Sequence, residues 1–265
     1  MKTAVHITDN YIINPPNPVR VSLIGAGGTG SQMLTALARI NHALLNLNHA
    51  GLSVTVYDDD RISEANLGRQ LFSESEIGLY KSVALVNRLN RFFGTNWKGK
   101  THRFADDLYR EDSYYKANLY ISCVDTAKSR FEISELLYDL STGSGYDRER
   151  PLYWTDLGNS RDTGQVVLST IGHIKQPESD KYNTVADLPF ITEMFRDQLE
   201  QADKLDDTPS CSLAEALAKQ DLFINSSVAT LGASLLWQLF QQGMIFNRGM
   251  FVNLKSFITQ PLKLV

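Results

Sequence analysis

Short apolar runs alternate with longer segments of helical periodicity along the first half of the chain. Short runs bounded by glycine or turn residues are typical of buried strands, whereas one-sided apolar stripes are typical of amphipathic helices. Strands are predicted at 19–24, 52–57 and 118–124, and helices at 29–48, 77–93 and 129–140. This alternation predicts an α/β protein of Rossmann-like three-layer type, with a mainly parallel sheet and right-handed crossovers.

The rest of the chain extends this pattern into one domain, residues 19–265. Further strands are predicted at 100–104, 152–157, 165–171 and 250–257, and a long apolar helix at 221–241. We therefore expect C-terminal strands to extend the parallel sheet. Residues 1–18 are predicted to be an N-terminal lead-in, because they end in Asn14-Pro-Pro-Asn-Pro18 and proline cannot join a central strand.

One segment, at about 174–208, interrupts the alternation of strands and helices. Its part from Glu178 to Asp207 holds nine acidic residues against three basic ones, with one short amphipathic stretch at 190–199. We interpret the segment as an acidic crossover excursion within the domain. Two interpretations stay open, a solvated surface loop and a loop that docks a partner.

A glycine turn, residues 25–30, links the first predicted strand to the first helix. The cofactor-binding candidates in it are Gly25, Gly27, Gly28 and Gly30. Glycines let the backbone turn tightly and approach a phosphate, whose negative charge the first N–H groups of the helix favour. An acidic residue, Asp58, ends the next strand, where it can hold a ribose hydroxyl. The turn therefore predicts nucleotide binding, with NAD and ATP equally compatible at this point.

The polar segment after Asp58 is unusual for a dehydrogenase. Three carboxylates at 58–60 precede the sequence Asn66-Leu-Gly-Arg69-Gln70, and Gly78-Leu-Tyr-Lys81 opens the next helical segment. A metal-bound triphosphate needs this mixture of cations, carboxylates and amides. Asp125 ends a later strand, and ligands of open parallel sheets lie beyond the carboxyl ends of strands. Alternatively, Asp60 belongs to a solvated turn, and Arg69 and Lys81 form surface ion pairs.

Five motifs in order make the chain similar to a known superfamily. They are GxGGxG, D-x-D, N-L-x-R-Q, G-x-x-K, and an aspartate followed five residues later by an arginine. Here they comprise glycines 25, 27, 28 and 30, Asp58 and Asp60, Asn66 with Arg69 and Gln70, Gly78 with Lys81, and Asp125 with Arg130. The chain resembles the E1-like superfamily of ubiquitin-activating and ThiF/MoeB-type enzymes. More narrowly, it resembles the ThiF family protein of PRTRC gene cassettes.

The resemblance implies ATP- and Mg²⁺-dependent adenylation of the C-terminal carboxylate of a small ubiquitin-like (β-grasp) protein. It implies that Asp58 binds the ATP ribose and that Arg69 and Lys81 contact the phosphates. Asn66 and Gln70 help to orient the adenylyl group, and Asp125 holds Mg²⁺, which polarises the α-phosphate. The superfamily has asparagine where this chain has Thr126, which weakens one adenine or ribose contact.

The two cysteines carry different expectations. Pro209-Ser-Cys211-Ser resembles the segment that bears the thioester cysteine of E1 enzymes, so Cys211 is either a covalent residue or a structural thiol. Cys123 lies in an apolar run and is predicted to be a core residue. Two cysteines cannot form the two CxxC pairs that bind zinc in many relatives, and the five histidines show no ligand spacing, so no zinc is expected.

The superfamily usually pairs its adenylation domains, so the resemblance also implies a homodimer. The helix at 221–241 offers either a dimer face or a surface buried within its own subunit. The N-terminal arginine that MoeB-like dimers send into the neighbouring ATP site is not recognisable in residues 1–18.

Composition narrows the classes of partner. The net charge is −4 and the isoelectric point is about 5.7, so no basic surface for nucleic acid is expected. No apolar run approaches the roughly 20 residues of a membrane helix, and the first ten residues lack a signal-peptide pattern. Together with two cysteines, this predicts a cytoplasmic protein.

Two other functions remain to be compared with adenylation. A nucleotide-binding scaffold without chemistry would have no need of Arg69, Lys81 and Asp125 together. An NAD-dependent oxidoreductase would use the glycine turn and Asp58 but would leave Arg69, Gln70 and Lys81 without a role.

Overall fold

The computed structural model describes residues 2–68, 70–109, 116–142, 147–202 and 220–264. The described strands are β1 (Thr3–Ile7), β2 (Val19–Ile24), β3 (Leu52–Tyr57), β4 (Lys98–Lys100), β5 (Leu119–Ser122), β6 (Tyr153–Asn159), β7 (Thr163–Thr170), β8 (Tyr182–Thr184), β9 (Met244–Ile245), β10 (Asn247–Asn253) and β11 (Ile258–Lys263). The described helices are α1 (Asn10–Ile13), α2 (Gly28–Asn46), α3 (Lys81–Phe93), α4 (Ala127–Ser141), α5 (Ile191–Met194), α6 (Arg196–Ala202) and α7 (Ile224–Gln242). Short 3₁₀ turns lie at Glu64–Asn66, Glu74–Glu76, Phe104–Tyr109 and Asp147–Glu149.

A large eight-stranded sheet has the order β11-β10-β7-β6-β5-β2-β3-β4. The five strands from β4 to β6 pair in parallel, and β7, β10 and β11 continue the sheet with antiparallel pairing. This confirms the predicted mainly parallel sheet extended by C-terminal strands. In the register of β2, Ile24 is paired with both Tyr57 and Ser122, so β2, β3 and β5 end together at one edge.

Helices cover both faces of this sheet, which gives the three layers. On one face, α2 packs against α7, and leucines of both helices are buried in the core. On the other face, α4 and the region around α5 cover a second cluster that includes Tyr120 and Trp154. Burying each such side chain contributes roughly 1.5–3 kcal/mol. Among the helices in the described ranges, none has the length and apolarity required to cross a membrane.

The helix α7 is largely internal to its own subunit. Leu235, Leu236 and Phe240 are buried in the core, whereas Leu231 and Trp237 are partly buried against it. The interpretation of this helix as buried within its own chain therefore holds for most of its apolar residues.

The lead-in forms structure that the sequence did not indicate. β1 pairs in parallel with β8 and antiparallel with β9, in a separate three-stranded sheet. The proline-rich end of this segment does not join the large sheet, and the strand β1 before it was not predicted. β1 was missed because its partners lie far away in the sequence.

The acidic excursion is more than a solvated loop. It contributes β8, α5 and α6, and it buries Ile174, Leu188, Phe190 and Ile191 in the core. Its acidic side chains are interspersed with these apolar anchors, which the charge count obscured. The part from 203 onward lies outside the described residues.

Several predicted boundaries also differ from the structure. The last predicted strand, 250–257, is instead the end of β10 and a turn, and β11 follows that turn. The strand predicted at 100–104 is β4 at Lys98–Lys100. The second long helix begins at Lys81 rather than at 77, because Gly78 has a φ of +87° and Tyr80 bridges to Arg61 outside the helix.

Candidate functional site

A cavity of about 830 Å³ opens where β2, β3 and β5 end. This volume lies in the range of pockets that enclose small ligands. The predicted site residues that line it are Gly25, Gly27, Gly28, Asp58, Asp60, Asn66, Gln70, Lys81, Asp125 and Thr126. Residues about 100 positions apart in the sequence are thus brought to one cavity. The predicted residues Arg69 and Cys211 lie outside the described residues.

The glycine turn is held by tight backbone packing. Gly25 has a φ of +91°, and a Cβ added there would lie 2.7 Å from the carbonyl oxygen of Cys123. A Cβ on Gly30 would lie 2.0 Å from the carbonyl oxygen of Gly25, so Gly30 packs the helix against the turn rather than lining the cavity. In contrast, a Cβ on Gly27 would meet no atom within 4 Å. Gly27 therefore leaves open space beside the N-terminus of α2, where helix N–H groups favour an anion.

Asp58 braces the glycine turn. One carboxylate oxygen accepts a hydrogen bond from the Ala26 N–H across 2.6 Å, and the other accepts one from the Asp60 N–H across 3.0 Å. Burial raises the pKa of Asp58, and the nearby Lys81 ammonium opposes this shift. Each carboxylate oxygen can accept a further hydrogen bond, so the bracing leaves acceptor capacity for a ligand hydroxyl.

Lys81 is the first residue of α3 and is buried in the cavity wall. Its ammonium lies 2.6 Å from a carboxylate oxygen of Asp60, which is itself exposed to solvent. Asp60 is therefore solvent-exposed and also forms this ion pair, and its place among the site residues stays a prediction. Arg61, the next residue, donates to the Gly78 carbonyl and lies over the Tyr80 ring, so it fixes the loop that precedes α3.

Two amide side chains line the same cavity but have different surroundings. Asn66 closes a 3₁₀ turn, because its side-chain oxygen accepts hydrogen bonds from the backbone N–H and the hydroxyl of Ser63. Gln70 is 6% exposed, and its side-chain oxygen has no hydrogen-bond donor among the described residues. An unsatisfied buried acceptor costs about 1–3 kcal/mol, which a bound donor group would recover.

Asp125 follows β5 and is exposed to the cavity. Its carboxylate makes no hydrogen bond or ion pair with another described residue. The next residue, Thr126, caps α4, since its hydroxyl oxygen accepts the backbone N–H of Ser129. Thr126 therefore lines the cavity while its side chain is engaged with the helix.

A buried ion pair that sequence reasoning missed lies directly behind Asp125. Arg130 on α4 donates from Nε to both carboxylate oxygens of Asp156 on β6, across 3.0 and 3.1 Å. Both side chains are at most 5% exposed. The sequence identified Arg130 as part of a motif without assigning it a contact. In the sequence, Asp156 could have been recognised as a buried charge that needs a partner, because its carboxylate lies inside the apolar run 152–157.

The apolar end of the cavity was also missed. It is formed by Phe104, Ile133 and Leu136, between a 3₁₀ turn and α4. Arg103 and Glu132 form an ion pair at this end and line the same cavity. A cavity with one apolar end and one polar end can accept a planar aromatic group together with a charged group.

Cys123 is only partly buried, so its prediction as a core residue was incomplete. It packs against the core and also lines the cavity. Burial raises the pKa of its thiol far above the usual value, so the group stays protonated at neutral pH.

The side chains of the described ranges contain no group of three or more His, Cys, Asp or Glu residues that could hold a metal ion. Mg²⁺, however, is commonly bound by one or two carboxylates together with substrate phosphates and water. The unpartnered carboxylate of Asp125 fits that mode of binding, in which the nucleotide supplies most of the ligands.

A family model described as the ThiF family matches residues 17–239, which is more than half of the chain. No curated protein matches the chain significantly. The match spans the glycine turn, the polar segment after β3, Asp125 and most of α7.

Among solved structures, the fold is similar to E. coli MccB, with a TM-score of 0.59 and 14% identity over 92% of this chain and 62% of that chain. A structure of E. coli MccB with ATP gives a TM-score of 0.57 and 13% identity over 92% of this chain and 63% of that one. PaaA gives 0.60 and 12% identity over 93% of this chain and 73% of its own. The chain thus spans less than two thirds of the length of MccB. At these identities the likeness concerns the fold.

Proposed function

Because the chain belongs to the ThiF family, we propose that it uses ATP to adenylate the C-terminal carboxylate of a partner protein. The observation that carries this proposal is the convergence of Asp58, Gln70, Lys81 and Asp125 with the glycine turn on one cavity. This set supplies an open helix N-terminus, a buried ammonium, an unsatisfied buried amide and an unpartnered carboxylate. A nucleotide phosphate chain with its metal requires these groups together.

Each residue has a proposed role in holding the nucleotide. Asp58 accepts from a ribose hydroxyl while it braces the turn, and Gly27 leaves the space that a phosphate occupies. Lys81 exchanges its contact with Asp60 for a phosphate oxygen, because a phosphate carries more negative charge than one solvated carboxylate. We assign Arg69 to the phosphates, and Asn66 and Gln70 to orientation of the adenylyl group. The base occupies the apolar end formed by Phe104, Ile133 and Leu136.

The proposed reaction needs positioning more than acid–base chemistry. A carboxylate oxygen of the partner forms a bond to the α-phosphorus, and the bond between the α-phosphorus and the bridging oxygen breaks. The products are an acyl adenylate and pyrophosphate. A carboxylate is already ionised at neutral pH, so no proton has to be removed. Lys81 stabilises the charge that develops on the phosphates.

Asp125 is the residue that would hold Mg²⁺. When bound, Mg²⁺ would polarise the α-phosphate and neutralise part of the charge on the leaving pyrophosphate. Thr126 contributes a backbone contact to the nucleotide while its hydroxyl caps α4.

The partner is proposed to be a small ubiquitin-like protein, as the resemblance to PRTRC-type ThiF proteins implies. A partner of peptide or protein nature is supported by the structure of the microcin C7 biosynthetic enzyme MccB in complex with N-formylated MccA. Transfer of the activated carboxylate to Cys211 and assembly into a homodimer belong to the same proposal.

Exchange of pyrophosphate into ATP, with candidate ubiquitin-like proteins, tests this function. We expect exchange by the wild type, loss of exchange in Asp125→Ala, and retention in the control Asp187→Ala, an exposed carboxylate paired with His173 outside the cavity. ATP binding without exchange would favour a scaffold. Reduction of NAD by the protein would contradict both functions.

A further inference from the structure

Asp125 lies on a short connection between β5 and α4, at 123–126. Its carboxylate has no partner among the described residues, so its position depends on the backbone alone. Its next neighbour on the C-terminal side, Thr126, is held as the cap of α4. A metal-binding carboxylate is effective only when its position is fixed to a fraction of an ångström.

We infer that Arg130 is a positioning residue that clamps the carbonyl groups of the two residues flanking Asp125 and so fixes the Asp125 carboxylate for the proposed nucleotide reaction. One guanidinium nitrogen of Arg130 donates to the Val124 carbonyl across 2.6 Å, and another donates to the Thr126 carbonyl across 3.2 Å. These carbonyls belong to the residues immediately before and after Asp125. The inference rests on the proposed function for the role of Asp125, but the clamp is a property of the apo protein.

The third side of the guanidinium is anchored to the sheet. Its Nε donates to both oxygens of Asp156, and the Ser122 hydroxyl donates to the same carboxylate across 2.7 Å. The Trp154 indole in turn donates to the Ser122 oxygen across 2.8 Å. All of these side chains are buried, so solvent does not compete for the hydrogen bonds. The clamp therefore ties the Asp125 loop to β5 and β6 at once.

The space around the guanidinium is shaped for this arrangement. A Cβ on Gly158 would lie 2.1 Å from the side-chain nitrogen of Gln165 and 2.7 Å from a guanidinium nitrogen of Arg130, so a larger residue at this position would crowd both side chains. Lysine cannot replace Arg130, because an ammonium is a point charge without the planar fork that reaches a carboxylate and two carbonyls together. The substitution Arg130→Lys thus keeps the charge beside Asp156 but removes the clamp.

A matched control is available in Arg248. It is also buried, and it donates to the carbonyls of Leu168 and Pro189 on the antiparallel side of the sheet. It does not line the cavity. Arg248→Lys therefore tests the general effect of losing a buried arginine without touching the Asp125 loop.

The first measurement is amide hydrogen exchange of the protein without ligand. We expect the amides of Cys123 and Ser129, which donate to the Ile24 carbonyl and the Thr126 hydroxyl at the two ends of this loop, to exchange at least about tenfold faster in Arg130→Lys than in wild type, and to be unchanged in Arg248→Lys. Unchanged exchange of both amides in Arg130→Lys would overturn the clamp, whether or not the protein binds ATP.

The second measurement is a double-mutant cycle on the affinity for ATP with Mg²⁺ relative to ATP with a chelator. The ratio of these two affinities is the gain in ATP affinity that Mg²⁺ provides. We expect Arg130→Lys to reduce this gain about 10- to 100-fold, as is typical when a residue that orients a metal ligand is lost. In the Asp125→Ala background, Arg130→Lys should change the gain less than twofold, because Arg130 acts through Asp125. Independent, multiplicative effects would contradict positioning. If the wild type bound no ATP, the proposed function would fail, and the exchange result would still decide whether the clamp exists.

Discussion

The Lys81 ammonium is buried, yet it pairs across 2.6 Å with the Asp60 carboxylate, which is 68% exposed. Solvent screens an ion pair that has one exposed partner, so its net contribution is small, on the order of 1 kcal/mol. The pair therefore holds Lys81 in the cavity wall but contributes little to the free energy of folding. An arriving phosphate can replace Asp60 while Asp60 remains in water.

We therefore predict that Lys81→Met retains the fold but weakens ATP binding. Removal of a hydrogen bond to a charged group costs about 1.5–3 kcal/mol, which is about a 10- to 150-fold loss of affinity. Isothermal titration with ATP measures this change. The control Lys98→Met, whose ammonium donates to Asn96 outside the cavity, should bind as wild type. Wild-type affinity in Lys81→Met would show that Lys81 does not contact the nucleotide.

The glycine turn allows binding and folding to be separated with two alanine substitutions. At Gly27 an added Cβ meets no atom within 4 Å, whereas at Gly30 it would lie 2.0 Å from the carbonyl oxygen of Gly25. We expect Gly27→Ala to keep the wild-type melting temperature and lose ATP affinity, since the methyl group occupies the proposed phosphate space. Gly30→Ala should lose about 3 kcal/mol or more of stability through overpacking. If Gly27→Ala and the wild type bound ATP with equal affinity, the phosphates would not bind at this turn.

The part of the site that the sequence predicted depends on local signals. The strands before Asp58 and Asp125 are apolar runs, and both residues follow directly at the ends of parallel strands. Because parallel strands end at a common edge, their meeting at one cavity follows from the strand assignments. The glycine spacing added the first helix and its N-terminus.

The missed features depend on contacts between residues far apart in the chain. Val185, next to β8, receives a hydrogen bond from His6 across a sequence separation of 179, and no local pattern indicates that β1 pairs there. The contact between Arg130 and Asp156 likewise depends on how α4 crosses β6, which a single sequence does not specify. The amphipathic stretch at 190–199 was visible, but its place against Trp154 was not.

His6 gives a prediction for the pH dependence of stability. Its Nδ1 faces the Val185 carbonyl, which can only accept, so Nδ1 donates there and Nε2 of the neutral ring accepts a hydrogen bond from the Tyr153 hydroxyl. Burial lowers the pKa of His6 from the usual 6.5. The unfolded chain therefore binds more protons below pH 6.5, and the contribution of His6 to stability is lost as the pH falls from 6.5 through the folded pKa.

We expect urea denaturation to show a free energy of unfolding that decreases between pH 7 and pH 5, by up to about 1.4 kcal/mol per pH unit from this group. His6→Gln should flatten the profile in this window, although it is less stable at pH 7. The control His173→Gln, an exposed histidine, should leave the slope in place. A slope that persists in His6→Gln would assign the pH dependence to other groups.

The two cysteines allow the covalent part of the proposed function to be tested with a matched pair of variants. Cys123 lines the cavity, but burial raises the pKa of its thiol, so it is a poor nucleophile at neutral pH. We expect Cys123→Ala to form the same thiol-sensitive adduct with the activated partner as wild type.

Cys211→Ala should retain pyrophosphate exchange within about threefold, since adenylation precedes transfer, but it should form no adduct on a non-reducing gel. An adduct that persists in Cys211→Ala and disappears in Cys123→Ala would show that Cys123, and not Cys211, accepts the activated carboxylate, contrary to our proposal. Exchange without an adduct in the wild type would limit the protein to adenylation.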